Sequence, residues 1–298
     1  MKKFAFVFLF SILIFSNSLY SQNVLEIEPL FEYPVPPDEC ESLTERCEYL
    51  VKNFWNNFDF KKKEPVDQHA LNAAFGVYAS AIRFASKKEV DQSIDKLLKT
   101  ISSNPTQLLQ FTKAAQENFY GPRAEAWSDE VYLKFLDPII KNKKLPEKRK
   151  ATYVKQAQIL NNSRVGEVFP SFSFMDRKDE KKQYFPMSTP TLMIFGNPDD
   201  IDWKLSKIKM DSNLQLNDAL EKGKINILYI VPFDLPDWKK ATDTYNSHII
   251  VGQAKDLGDV VDIRLTPSIY IIGSDGKILN KFLTPERAVS TILELVNN

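Results

Sequence analysis

The sequence predicts an α + α/β protein, in which an all-helical domain precedes a domain with a central mixed sheet flanked by helices. Two observations carry this. Between residues 44 and 161, apolar side chains recur at three- and four-residue intervals, separated by capping residues and almost without glycine. From Val165 onward the period shortens to two and then gives way to continuous apolar runs, as in strands buried on both faces.

The helical elements follow in order. "TERCEYLVKNFWNNFDF" opens on Thr44 as a cap and sets Tyr49, Leu50, Asn53, Phe54 and Phe58 mostly at helical spacing. "VDQHALNAAFGVYASAIRFAS" carries a stripe through Leu71, Ala74, Phe75, Tyr78, Ile82 and Ala85. "KEVDQSIDKLLKTISS" repeats it with Val90, Ile94, Leu97, Leu98 and Ile101. Asn104-Pro105 starts a helix through "TQLLQFTKAAQENFY", and Ser128 caps "DEVYLKFLDPIIKNK". The aromatic stripes read as core, not as a cofactor box. The basic run "KNKKLPEKRK" reads as a solvated turn and helix start.

In the second half, Phe172 and Phe174 alternate with Ser171 and Ser173, the pattern of a short strand with one apolar face. Pro170 suits the start or the edge of that strand. Next come "TLMIFG", a helical stretch from Trp203 to Lys222, "KINILYIVPF", and a short helix around Asp237 to Tyr245. "TPSIYIIGSDGKILNKF" forms a hairpin turned at Ser274-Asp275-Gly276, and "PERAVSTILELV" closes the chain as a helix. That order is mixed α/β.

The first 22 residues, "MKKFAFVFLFSILIFSNSLYSQ", have the build of a secretory signal peptide cleaved after Ser21. A retained anchor is the alternative, with an apolar run shorter than the ~20 residues of a span. No cysteine follows the run, which argues against a lipoprotein. Once the signal is removed, no membrane span is expected. The domain boundaries are then signal 1–21, lead-in 22–43, helical domain 44–163 and α/β domain 164–298. Equal numbers of basic and acidic residues, 39 each, give no case for nucleic acid. Two unclustered histidines, His69 and His248, make no metal site, and no cofactor is expected.

Export permits a disulfide between Cys40 and Cys47. On one continuous helix they would stand ~10 Å apart along the axis, too far to bond. After "PVPPDE", however, Cys40 can lie in a non-helical lead-in that folds back.

The second half resembles a thioredoxin-fold domain of the secreted thiol–disulfide oxidoreductase type. "VGEVFPSFSF" resembles its lead-in strand, "TLMIFGNPDD" the central strand entering the active-site turn, and "IRLTPSIYIIGSDGKIL" the segment with the family's Thr-Pro and the following hairpin. The resemblance implies a cis bond before Pro267, facing the redox motif. The helical half resembles the uncharacterised helical domain fused in front of such domains, notably in "YLVKNFWNNFDF" and "NNSRVGEVF". It also implies a periplasmic or cell-envelope location in a Gram-negative bacterium.

Related domains carry Asn-Pro-x-Cys-x-x-Cys at the turn. Here Asn197 and Pro198 match, while the cysteine positions fall on Asp200 and Trp203. Disulfide exchange needs one thiolate to attack and a second to resolve the mixed disulfide, and neither residue can do this. The turn is therefore expected to be redox-inactive. Asp199, Asp200 and Asp202 place carboxylates where a helix N-terminus favours an anion, so "NPDDIDW" reads first as a stabilised helix start. A metal site from these aspartates lacks the glycine and final glutamate of a calcium loop. A ligand patch between Trp203 and Thr266-Pro267 is the other reading.

Three functions compete. The leading one is a non-catalytic, exported binding or scaffolding module that takes an unknown polypeptide partner of the cell envelope along Trp203, Leu265, Thr266 and Pro267, by strand addition. The second is a thiol–disulfide oxidoreductase using Cys40 and Cys47. The third is a structural envelope protein acting through its helical domain.

Overall fold

The computed structural model describes residues 28–62, 64–122 and 124–297; the expected signal segment lies outside them. The helical half contains α1 (Leu43–Asn53), α2 (Gln68–Ile82), α3 (Lys87–Ile101), α4 (Pro105–Ala115), α5 (Asp129–Lys141) and α6 (Glu147–Asn162). The first cap is not Thr44. Ser42 accepts from the Glu45 N–H, and the Glu45 carboxylate accepts from the Ser42 N–H, a reciprocal capping box one residue before the helix. Asn104 with Pro105, and Ser128, start α4 and α5 as the sequence predicts. α1 stops at Asn53 and a 3₁₀ turn, Phe54–Asn57, rotates Trp55 and Phe58 into the core. There they meet Phe75, Tyr78 and Phe111 in an aromatic cluster.

The second half contains β1 (Phe172–Asp176), β2 (Lys181–Tyr184), β3 (Thr191–Phe195), α7 (Ile201–Asp211), α8 (Leu214–Glu221), β4 (Asn226–Val231), α9 (Trp238–Ala241), β5 (Ile250–Gln253), β6 (Ser268–Ile272), β7 (Ile278–Lys281) and α10 (Pro285–Asn297). They form one mixed sheet in the order β2-β1-β5-β4-β3-β6-β7. β3, β4 and β5 run parallel, while β6 is antiparallel to β3 and to β7. Side chains of β3 and β4 alternate between two cores. Leu192, Ile194 and Tyr229 face α7, α8 and α10, whereas Met193, Phe195 and Leu228 face Phe169, Phe172 and Tyr184.

The sequence reading differs from this in three places. The stretch Trp203 to Lys222 is two helices, broken where Asn213 caps α8. The helix near Asp237 is a single turn. β2 and β5 have no sequence signature, because four residues with half-polar faces leave little periodic signal. The segment between the halves pairs with the sheet: the Gly166 N–H donates to the Ile278 carbonyl at 2.8 Å, and the Ile278 N–H to the Glu167 carbonyl at 2.8 Å.

Candidate functional site

β3 ends at Phe195 and the chain turns into α7 through Gly196, Asn197, Pro198, Asp199 and Asp200. Asn197 organises the turn: its side-chain oxygen accepts from the Asp199 N–H at 3.0 Å, and its carbonyl from the Asp200 N–H at 3.1 Å. Asp200 occupies the N-cap with extended backbone, but its carboxylate accepts no capping bond. A helix does start at the expected turn, but the expected capping bond from an aspartate side chain is absent. Asp199, Asp200 and Asp202 are exposed, and Asp199 stands 3.9 Å from Lys204. Carboxylates there still complement the positive end of the helix dipole.

Trp203 lies in the third position of α7 and faces the sheet. It is 1% exposed, its ring stands 5.2 Å from that of Tyr229, and its Nε1 donates to the Tyr245 hydroxyl at 2.6 Å. The expectation that Trp203 lines an open groove is therefore corrected. A residue one turn inside the helix has its side chain drawn onto the core face, while the N-cap residue Asp200 stays in water.

The Thr266–Pro267 bond is cis. Leu265 and Thr266 are exposed and Pro267 half-buried, and the Ser268 hydroxyl donates back to the Leu265 carbonyl. Among the described residues neither the N–H nor the carbonyl of Thr266 has a backbone partner. The turn and this loop meet at Gly196. A Cβ there would stand 2.8 Å from a Trp203 ring carbon and 3.4 Å from the Pro267 Cα. On the outer side of α7, Ile201, Leu205 and Ile208 are exposed, whereas Trp203, Ser206 and Met210 form its buried face.

Both cysteines belong to the other half. Cys40 is half-buried in a turn closed by its N–H to the Pro37 carbonyl, and Cys47 is buried on the core side of α1. Both are free thiols, so the disulfide that export would permit is not formed here; Cys47 belongs to the helical core and Cys40 does not. Burial pushes the Cys47 thiol up, away from the thiolate that chemistry needs. Among the described residues, no group of three or more His, Cys, Asp or Glu side chains converges as a metal site, and no helix is long and apolar enough to cross a membrane.

Sequence reasoning missed Gly196, Tyr245 and Arg264. The one available signal was "DIRLTP", which sets Asp262 and Arg264 directly before a run buried from Ser268 to Ile272. Charges entering a buried strand imply partners, but nothing in the sequence names them.

Comparison with known proteins places these observations. Residues 16–163 match a family model described as Domain of unknown function (DUF5106). No curated protein matches the chain. Among solved structures, a thioredoxin-like protein from Bacteroides caccae aligns with TM-score 0.71 at 18% identity, covering 89% of this chain and 98% of that one. A thioredoxin domain of a thiol-disulfide oxidoreductase from Bacteroides vulgatus aligns over 45% of this chain and 99% of its own, at 20% identity and TM-score 0.40. A conserved protein of unknown function from Bacteroides fragilis aligns over 44% of this chain and 99% of its own, at 19% identity and TM-score 0.41. The first half is thus similar to the DUF5106 model, and the chain has a thioredoxin-like fold.

Proposed function

We propose that this chain is an exported, redox-inactive thioredoxin-like protein that binds an extended polypeptide segment along Leu265, Thr266 and Pro267. It is not a disulfide oxidoreductase on this reading, because aspartate and tryptophan occupy the two positions where exchange needs sulfur. The observation that carries the binding role is Thr266. It is an exposed residue whose N–H and carbonyl have no backbone partner among the described residues, which suits an added strand. The exposed Leu265 offers an apolar contact next to it. Export rests on the lysine-led apolar run that opens the sequence.

Peptides selected from a random library on the purified protein provide the test. They should shift the amide resonances of Leu265 and Thr266, and Leu265→Glu should weaken them by about tenfold or more, the ~1.4 kcal/mol of one lost apolar contact. Selected peptides that perturb only the α1–α6 half would overturn the proposal.

A further inference from the structure

Arg264 stands two residues before the cis peptide bond, with its side chain only 10% exposed. Its surroundings come from both halves of the chain. α4 does not end in an ordinary turn. Gln116–Tyr120 wind as a π-helix, closed by the Gly121 N–H donating to the Gln116 carbonyl at 2.7 Å. Such turns are rare and concentrate where function demands a local geometry. This one sets the Tyr120 ring 4.4 Å from the guanidinium carbon of Arg264, and the Tyr120 carbonyl accepts from Arg264 at 3.3 Å. Trp127, fixed by its Nε1 bond to the Gly121 carbonyl at 3.0 Å, places a second ring 4.9 Å from the same carbon. Phe282 supplies a third at 5.4 Å, with φ of +57°, a conformation that a bulky residue adopts only where its surroundings impose it. Three rings around one cation form an aromatic cage.

The charges are as tightly arranged. Arg264 bonds to Asp129 and stands 3.1 Å from the carboxylate of Asp262; Lys281 reaches the same two carboxylates at 2.6 and 3.2 Å. Asp129 begins α5 in the helical half, and the other three belong to the sheet domain. The Asp262 N–H is held by the Ser163 hydroxyl at 2.8 Å, so the segment joining the halves takes part as well. Asp262 Oδ1 and Arg264 Nε remain without partners among the described residues. For merely gluing two domains together, apolar contacts would do as well or better than a buried and incompletely satisfied ion cluster. What the cluster provides instead is direction: it fixes one side chain, and that side chain leads into the binding loop.

We propose that the helical half holds Leu265-Thr266-Pro267 in place through Arg264, a positioning residue caged by Tyr120, Trp127 and Phe282 and tethered to Asp129. The two halves then act as a single binding unit, a role that rests on reading that loop as the binding segment. Backbone ¹⁵N relaxation on the full chain tests the latch without any ligand. Leu265 and Thr266 should have order parameters near 0.85, typical of rigid backbone, and fall below about 0.6 in Asp129→Asn. Ile269 to Ile272 should keep their values. Tyr120→Leu, which retains every charge pair and removes one wall of the cage, should loosen the same two residues should the charge variant fail to fold. Lys155→Ala cuts a separate contact between the halves, to Asp259, and should change nothing. Order parameters that stay high in the folded latch variants, or that are already low in the native protein, would overturn the latch. A loop that proves rigid and latched yet selects no peptide would instead defeat the binding role alone.

Discussion

Trp203 and Tyr245, 42 residues apart, are joined by an indole N–H to hydroxyl bond of 2.6 Å inside the sheet domain. The bond explains how a large indole can be buried at the start of α7. Indole brings one polar hydrogen that must find an acceptor when buried, and the loop after α9 supplies it. The ring therefore braces the turn from below and leaves the turn's outer surface to the aspartates.

Trp203→Ala should cost about 3–5 kcal/mol of stability, the usual range for emptying a buried aromatic site. Trp203→Phe should cost less, although it strands the Tyr245 hydroxyl. Urea denaturation measures both. A change within ~0.5 kcal/mol for the alanine variant would mean that the ring does not fill the core.

Insulin reduction should be absent in the native protein and unaffected by Cys40→Ser. Introducing Asp200→Cys together with Trp203→Cys should create thiols that pair, in a protein less stable than the parent. Native turnover abolished by Cys40→Ser would instead support an oxidoreductase centred on the lead-in cysteine. Introduced thiols that stay apart in a folded variant would mean that the turn is misaligned with the redox motif.

Gly196→Ala should destabilise by about 1–3 kcal/mol, since the added methyl would overlap the Trp203 ring. In combination with Trp203→Ala the penalty should largely vanish, because the space it competes for is then empty. A double-mutant cycle reads this coupling directly. Strict additivity of the two changes would show that the glycine is not there to admit the ring.

The two aspartates of the cluster, Asp262 buried and Asp129 half-buried, should shape stability with pH in opposite directions. Burial by itself raises Asp129, but Lys281 and Arg264 outweigh it and hold its carboxyl below the usual range. Its contribution is present above the unfolded value of ~3.9 and is lost as pH falls through the folded value. Asp262 is pushed up by burial, against the pull of Arg264 and Lys281. Its contribution is full below ~3.9 and is lost as pH rises through the raised value. Asp262→Asn should therefore flatten the stability curve just above ~3.9, and Asp129→Asn should flatten it below. The second change should also lower neutral stability by about 1–3 kcal/mol, less than for a fully buried ion pair because Asp129 is only half-buried. Denaturation midpoints from about pH 3 to 8 check both, and profiles that match the native curve would refute the assignment.

Much of this was legible in the sequence wherever local pattern and tertiary demand coincide. The stripe Val90, Ile94, Leu97, Leu98 and Ile101 is buried as its spacing implies, and the strands before Gly196 and after Pro267 lie where continuous apolar runs place them. The cis bond before Pro267 also lies where the Thr-Pro of the sequence puts it. What could not be read depends on long-range partners. α7 keeps Ile201, Leu205 and Ile208 outside and Ser206 inside, which inverts the usual pattern. Arg264 meets Asp129 and Tyr120 across 135 and 144 residues, a separation that no local period encodes.

The strip Gly166 to Val168 has a consequence for anyone dividing the chain. It lies beside the start of β7, bonded at Ile278 and bridged at Lys277, and so covers that end of the sheet's edge. The opposite flank, β2, is guarded by Lys181 and Lys182. Expressing the sheet domain from Phe169 would free the N–H and carbonyl of Ile278 and lengthen the open edge of β7, whereas starting at Arg164 would keep them paired. The boundary between the halves is therefore itself part of what keeps the sheet domain from associating with copies of itself.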